Sequence, residues 1–386
     1  MEAATEAQQW LQALIDGLQS AQLALLRTLH ALGLVGDVHG QPAWPWAWRL
    51  SGENLLIEFG QARRLAAALA FVAFALLALA VAWAWRRGRW YLLATLPLVA
   101  IAVPWPDASA LRVPATPASF HVPPGLPTAA GVVRGQALYA QHCVQCHGAD
   151  GRGQGPQAAS LAVWPPNLAG PLLWRRADGD LLWHLQHGLR DAQGRPTMPG
   201  FGTQLSDADA WALIDAMKAQ AAGEMLRATG QWGRPVRLAD APVQCADGRT
   251  RLLSSWRGQR LRLVAMADGA PPPPEDPRLV TVQVRPGDGP VAEGCVARAP
   301  EAWQALALVA GTDSPAGLQF IVDRDGYLRA RSSPARTGWS DDDLLCRSDA
   351  PPTSAAAAAA PADGLGALIA RMDAQPVRFA KGGFIH

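Results

Sequence analysis

Residues 66–85 (AAALAFVAFALLALAVAWAW) run for twenty positions without a charge, and this stretch constrains the fold more than any other feature of the chain. About 20 apolar residues at about 1.5 Å rise per residue cross the ~30 Å hydrocarbon core of a bilayer. A second apolar stretch, residues 90–106, is seventeen positions long and is interrupted by Pro97. Arg86, Arg87 and Arg89 lie between the two, in a connection too short to be more than a tight turn. Two spans joined by a basic loop predict a transmembrane helical hairpin over 66–106 with that loop in the cytoplasm. Trp83, Trp85, Trp90 and Trp105 fall at the span ends, where aromatic rings favour the interface. The alternative is a buried hairpin of a soluble protein, but a soluble core helix rarely lacks every polar residue for so long.

Residues 1–65 form an amphipathic N-terminal region. Leu11, Leu14, Leu18, Leu25 and Leu29 recur at helical spacing with Asp16, Gln19, Arg27 and Thr28 between them. Glu2 and Glu6 stand where a signal peptide carries basic residues. The hairpin orientation puts this region outside the cytoplasm, packed on the membrane surface or on a partner, and Trp44, Trp46 and Trp48 suit an interfacial position.

Composition narrows the remainder. Lys and Arg number 34 against 32 Asp and Glu, a formal charge of +2, so neither a polybasic nucleic-acid binder nor an acidic tail fits. Five cysteines in 386 residues exclude a disulfide-built scaffold. Seven prolines between Pro104 and Pro127 predict that residues 107–129 are an extended, semi-stiff linker. Helical patterns begin near 128 and recur at 177–188 and 206–221, the last opened by Ser206 with Asp207 and Asp209 in its first turn. Residues 235–348 change character: 261–266, 279–284 and 318–323 read as strands, with a helix at 300–310. Residues 349–386 read as an alanine-rich linker followed by a helix at 364–374.

The strongest chemical signal is Cys143-Val144-Gln145-Cys146-His147. C-x-x-C-H is the attachment pattern for c-type haem: two thiols on one helical turn reach both porphyrin vinyl groups, and the next His lies under the iron. A thioredoxin-like redox pair or half a zinc site would also use two such thiols, yet no second ligand pair of suitable context follows. His184 and His187 sit three apart on a helix and read as solvated or supporting residues. A haem held by His147 needs a second axial ligand. Met198 lies between Pro196 and Pro199, fifty-one residues after His147, and apart from Met1 it is the only methionine outside a helix or strand pattern. A thioether there would raise the reduction potential.

These residues resemble a class I cytochrome c over 130–222. Gly135 and Tyr139, the C-x-x-C-H, His147-Gly-Ala-Asp-Gly-Arg-Gly, Trp164-Pro-Pro-Asn-Leu168, Asp178-Gly-Asp-Leu-Leu-Trp183 and Leu205-Ser-Asp before Trp211 carry the likeness. It implies an all-α domain with one covalent haem c. It also implies that Gly135 and Tyr139 pack against the closing helix, and that Trp164 and Arg175 approach the propionates.

Residues 235–348 resemble a thioredoxin-like α/β domain through Trp256-Arg-Gly, the strand at 261 and Phe320-Ile-Val-Asp-Arg-Asp-Gly326-Tyr-Leu-Arg. The redox dithiol of that family should follow the strand ending near Met266, where this chain has Ala267-Asp-Gly-Ala-Pro-Pro-Pro-Pro274. Cys245, Cys295 and Cys346 remain, and an oxidising compartment could join two of them. The order of parts resembles the end of a copper-resistance-D-type membrane protein fused to a cytochrome c, with Pro45-Trp-Ala-Trp-Arg-Leu-Ser51 before the first span.

The expectation is therefore a multidomain protein with a transmembrane hairpin, a cytochrome c domain and a thioredoxin-like domain. It would be an electron carrier rather than an enzyme, in a bacterial inner membrane with its soluble domains in the periplasm. Its partners would be the lipid bilayer and redox proteins of the periplasm or inner membrane, with no nucleic acid. The alternative is a copper-homeostasis or oxidase-assembly protein with an accessory cytochrome, favoured only by the architecture and the lone His386.

Overall fold

The computed structural model describes residues 2–57, 59–84, 89–267, 269–271, 274–287, 291, 293–332, 338–340, 343–345, 363–377, 379–380 and 384–385. Arg86, Arg87, Cys346, His386 and the alanine run lie outside these residues. The chain divides into two compact units, Met1–Phe120 with Ala380–Phe384, and His121–Phe379 with Ile385–His386.

The first unit is built on the helix Phe59–Ala84, within which Gly60–Ala84 is long and apolar enough to cross a bilayer. Ala68, Ala78 and Ala82 are buried, and the helix packs against the helix Arg89–Ala102. Leu69, Val72, Phe74, Leu76, Leu77, Leu79, Val81 and Trp83 point outward and exposed, as lipid-facing side chains do. The second helix is shorter than the expected span over 90–106. Its 14 residues reach about 21 Å, below the ~30 Å of a bilayer core, and end ahead of Pro104 and Pro106.

The helix Glu2–Ala31 buries Leu11 and Ile15 against Leu55 and Ala62. Further along it, Gln22 accepts from the Leu50 N–H through Oε1 at 2.8 Å. The proline-rich segment differs from the expected extended linker. Arg112–Pro114 pairs antiparallel with Trp48–Leu50, the Trp44 N–H donates to Pro117 O at 2.8 Å, and Phe120 is buried with its ring 4.7 Å from that of Trp44. Proline lacks an N–H but its carbonyl still accepts, so a Pro-rich strand can cover a sheet edge.

The second unit joins a helical part to an eight-stranded sheet. The opening helix Ala129–His142, capped by Thr128, crosses the closing helix Asp207–Thr229 at Gly135, where any Cβ would collide with Ala212 O. Arg134 and Asp209 pair beside the crossing. Ser206 and Asp209 form a capping box at the start of the closing helix. That helix runs eight residues beyond the expected 221, because nothing in its alanine-rich sequence stops it before Gly230, the left-handed C-cap.

The sheet strands are β1 (Val236–Arg237), β2 (Pro242–Cys245), β3 (Thr250–Leu252), β4 (Leu261–Ala265), β5 (Val280–Val284), β6 (Cys295–Ala297), β7 (Gln319–Val322) and β8 (Tyr327–Ser332). Their order is β1-β8-β7-β4-β5-β6-β2-β3. β4, β5 and β6 run parallel, and β7 and β8 are antiparallel to their neighbours. The helix Pro300–Ala310 connects β6 to β7 and packs on the face carrying Leu261, Leu263, Val282, Phe320 and Val322. The helix Gly364–Ala374 packs with Ile321 and Ala330, which point to the other face.

The two halves of this unit share one core. Gly223 of the closing helix lies against Leu308 O and Gly311, so close that a Cβ there would overlap the carbonyl. Trp232, fully buried, donates through Nε1 to Val309 O at 2.9 Å and stacks on Phe320. Cys245 and Cys295 face each other across β2 and β6 and form a disulfide.

Candidate haem-binding site

Cys143 caps the opening helix, and Val144–His147 makes one further helical turn. The His147 N–H donates to Cys143 O at 2.8 Å, which holds both thiols and the imidazole on the same turn. Both thiols are free; Cys143 is buried and Cys146 partly so. Burial, with Cys146 nearby, pushes the Cys143 thiol up to about 12. A dithiol redox pair needs its thiol pushed the other way.

The loop after His147 folds back on this turn. The Gly153 N–H donates to His147 O at 2.8 Å, and the Gly155 N–H to Cys146 O at 3.0 Å. Gly153 has φ +79° and lies so close to Pro165 O that no side chain fits; Gly155 is pressed against the carbonyls of Val144 and Gln145. This brings Pro166 beside the imidazole, whose Nδ1 lies 3.3 Å from Pro166 O. A carbonyl can only accept, so Nδ1 carries the proton and Nε2 is left with its lone pair. Burial holds His147 below the usual imidazole range, and the Pro166 hydrogen bond opposes that only in part. Neutral imidazole is the ligating form.

Met198 ends a short strand rather than lying in an open loop. Pro196–Met198 pairs with Leu189–Arg190, and the turn between them is tied by the Asp191 carboxylate, which accepts from the N–H groups of Gln193 and Arg195. Gly188 and Gly200 pack backbone to backbone and fix this hairpin at the end of the helix Asp178–His187. Met198 is half-buried and packs on the same apolar cluster as Cys143, Leu185 and Phe201. His187 is exposed, stacked on Trp183 at 3.7 Å between ring centroids. His184 is half-buried, its imidazole held low chiefly by that burial. Trp164 and Arg175 are both exposed.

These residues fit a covalently attached haem. Two free thiols and an imidazole with Nε2 available share one turn, and a half-buried thioether joins the same cluster. Val163 and Trp164, three and two residues ahead of the Pro166 carbonyl, present large apolar side chains at the surface. Sequence reasoning missed the Pro166 carbonyl and the Tyr139 hydroxyl, which donates to Gly148 O at 2.9 Å. The Gly-x-Gly-x-Gly run 151–155 and the double proline were the available signals.

Residues 130–215 match the family model described as cytochrome C oxidase, cbb3-type, subunit III. This part of the chain is a c-type cytochrome domain, and such domains serve haem-based electron transfer. Among solved structures the chain is similar to the Kuenenia stuttgartiensis reducing HAO-like protein complex Kustc0457/Kustc0458, at 24% identity over 30% of this chain and 56% of that one, with a TM-score of 0.22. The chain thus spans about half the length of that relative. A comparison with curated proteins found no match.

Proposed function

We propose that this protein is a membrane-anchored electron carrier on the periplasmic side of a bacterial inner membrane, with one haem c held between His147 and Met198. The observation that carries the proposal is the Cys143–His147 turn with its imidazole proton fixed on Pro166 O. Haem iron bound there supplies one-electron exchange. Cys143 and Cys146 would hold the macrocycle through two thioethers, and the Pro166 carbonyl orients the ring of His147 and raises its basicity. Met198 contributes a soft sulfur that favours the reduced metal. Pro196 and Pro199 restrict the backbone on both sides of it.

The Cys245–Cys295 disulfide supports an oxidising compartment, and the helix Gly60–Ala84 supports a membrane anchor. Redox proteins of the periplasm or inner membrane are the partners such a carrier would serve. We read the sheet as a thioredoxin-like scaffold. Parallel β4 and β5 are flanked by antiparallel β7 and β8, with the helix Pro300–Ala310 before β7. Its first crossover, between β4 and β5, carries no helix and no cysteine among the described residues.

The test is haem staining of the full chain on a denaturing gel. The parent should stain, and Cys143→Ala with Cys146→Ala together should abolish the stain. Unchanged staining of the double variant would rule out attachment at these thiols.

A further inference from the structure

Tyr139 is 4% exposed, and its hydroxyl donates to Gly148 O in the loop that follows His147, while Gln220 Nε2 of the closing helix donates to the next carbonyl, Ala149 O. Its acceptor, Gly148 O, also receives the Gly151 N–H at 3.2 Å, which closes a tight turn. Gly151 O then accepts from the N–H groups of Leu168 at 2.7 Å and Ala169 at 3.3 Å. Two residues on, Gly153 abuts Pro165 O while its N–H holds His147 O. The loop 148–153 is therefore clamped between the opening helix on one side and the 165–169 segment on the other. The segment it presses upon is the one whose Pro166 carbonyl takes the Nδ1 proton of His147.

We propose that Tyr139 is a positioning residue for the axial histidine: its hydroxyl latches the Gly148–Gly153 loop and so sets how firmly Pro166 O holds the His147 Nδ1 proton. This rests on the haem reading above. The direction of the effect follows from chemistry. A firm Nδ1–H···O=C bond makes the imidazole a more basic ligand, which favours the oxidised metal and lowers the potential. Removing the hydroxyl leaves Gly148 O with only its weaker 3.2 Å donor and loosens the clamp. The ring of Tyr139 is not needed for this, so its packing and its hydrogen bond are separable.

The experiment uses the full chain in detergent, isotope-labelled at histidine. Tyr139→Phe should keep covalent haem, raise the reduction potential, and speed hydrogen exchange at His147 Nδ1. Uniform replacement of tyrosine by 3-fluorotyrosine keeps the ring and gives a stronger donor. That protein should shift the potential in the opposite direction, and it tests the latch even if the Phe variant fails to fold. An unchanged potential and unchanged Nδ1 exchange in either well-folded protein would overturn the proposal, whatever happens to thermal stability. A parent chain that carries no covalent haem would instead overturn the haem reading, and Nδ1 exchange would still decide whether the latch exists.

Discussion

The loop after His147 and the crossover between β4 and β5 both follow regular elements, yet they are held in opposite ways. The first is held by backbone. Gly153, Gly155 and Gly151 each lie within reach of another main chain, and their N–H and C=O groups bond to His147, Cys146, Leu168 and Ala169. The second is held by arginine side chains. Arg262, buried at 6% exposure, donates to Pro274 O and Thr281 Oγ1, and Arg285 donates to Ala270 O and Gln283 Oε1. On that face β4 and β5 offer Arg262, Thr281 and Gln283, while Ile321 and Ala330 further along it carry the helix Gly364–Ala374. The difference teaches that a site for a rigid prosthetic group is made with glycines that let backbones touch. A crossover with no helix among the described residues is tied down by long side chains instead.

Gly153 and Gly269 give the sharpest break of this comparison, because both have φ near +78° but only Gly153 is crowded. Gly153→Ala should combine left-handed strain of about 1–2 kcal/mol with a main-chain clash and prevent normal haem attachment. Gly269→Ala should cost only the strain, about 1–2 kcal/mol, with staining intact. Equal thermal shifts and equal staining in the two variants would remove the contrast.

Met198→Ala is the next largest expectation. On the proposed ligation the chain should keep covalent haem, show a lower potential, and bind carbon monoxide when reduced, since a thioether ligand favours Fe(II). An unchanged spectrum and potential would leave Met198 as a packing residue.

Arg262→Met tests the other region. Stranding Pro274 O should cost about 2 kcal/mol in a thermal melt while the haem spectrum stays that of the parent. A spectral change would mean that the crossover communicates with the haem site.

The smallest effect lies in the closing helix Asp207–Thr229. Burial pushes the Asp215 carboxyl up to about 7, with Asp178 adding to the shift and Lys218 opposing it. A carboxyl raised above its unfolded value near 4 loses stability as pH climbs from about 4 to about 7, because the unfolded chain gives up that proton while the folded state still holds it. Asp215→Asn should therefore stabilise the chain by about 1 kcal/mol at pH 8 and by nothing near pH 4, after allowance for its partial exposure. Equal effects at the two pH values would exclude ionisation as the cause.

Much of this was legible in the sequence. Helices expected at 177–188, 300–310 and 364–374 lie at Asp178–His187, Pro300–Ala310 and Gly364–Ala374, since their periodicity and caps are local. Cys143, Cys146 and His147 announce themselves by spacing alone. What stayed hidden depends on contacts between distant residues. The Pro166 carbonyl has no side-chain signature. Cys245 pairs with Cys295 because strand order opposes them, and strand order is not written in either strand. Phe120 and Pro117 read as linker until Trp44 is seen to need cover.

The contact of Gly223 with Leu308 O and Gly311 also bears on how this chain can be divided. A fragment stopped at residue 222, where the cytochrome pattern fades, would sever the closing helix mid-course and strip Ala219, Ala221 and Ala222 of their cover. Neither portion could be exchanged for a homologous module without reshaping that seam. Any gene rearrangement that keeps both parts working must carry them across together, as one inherited piece.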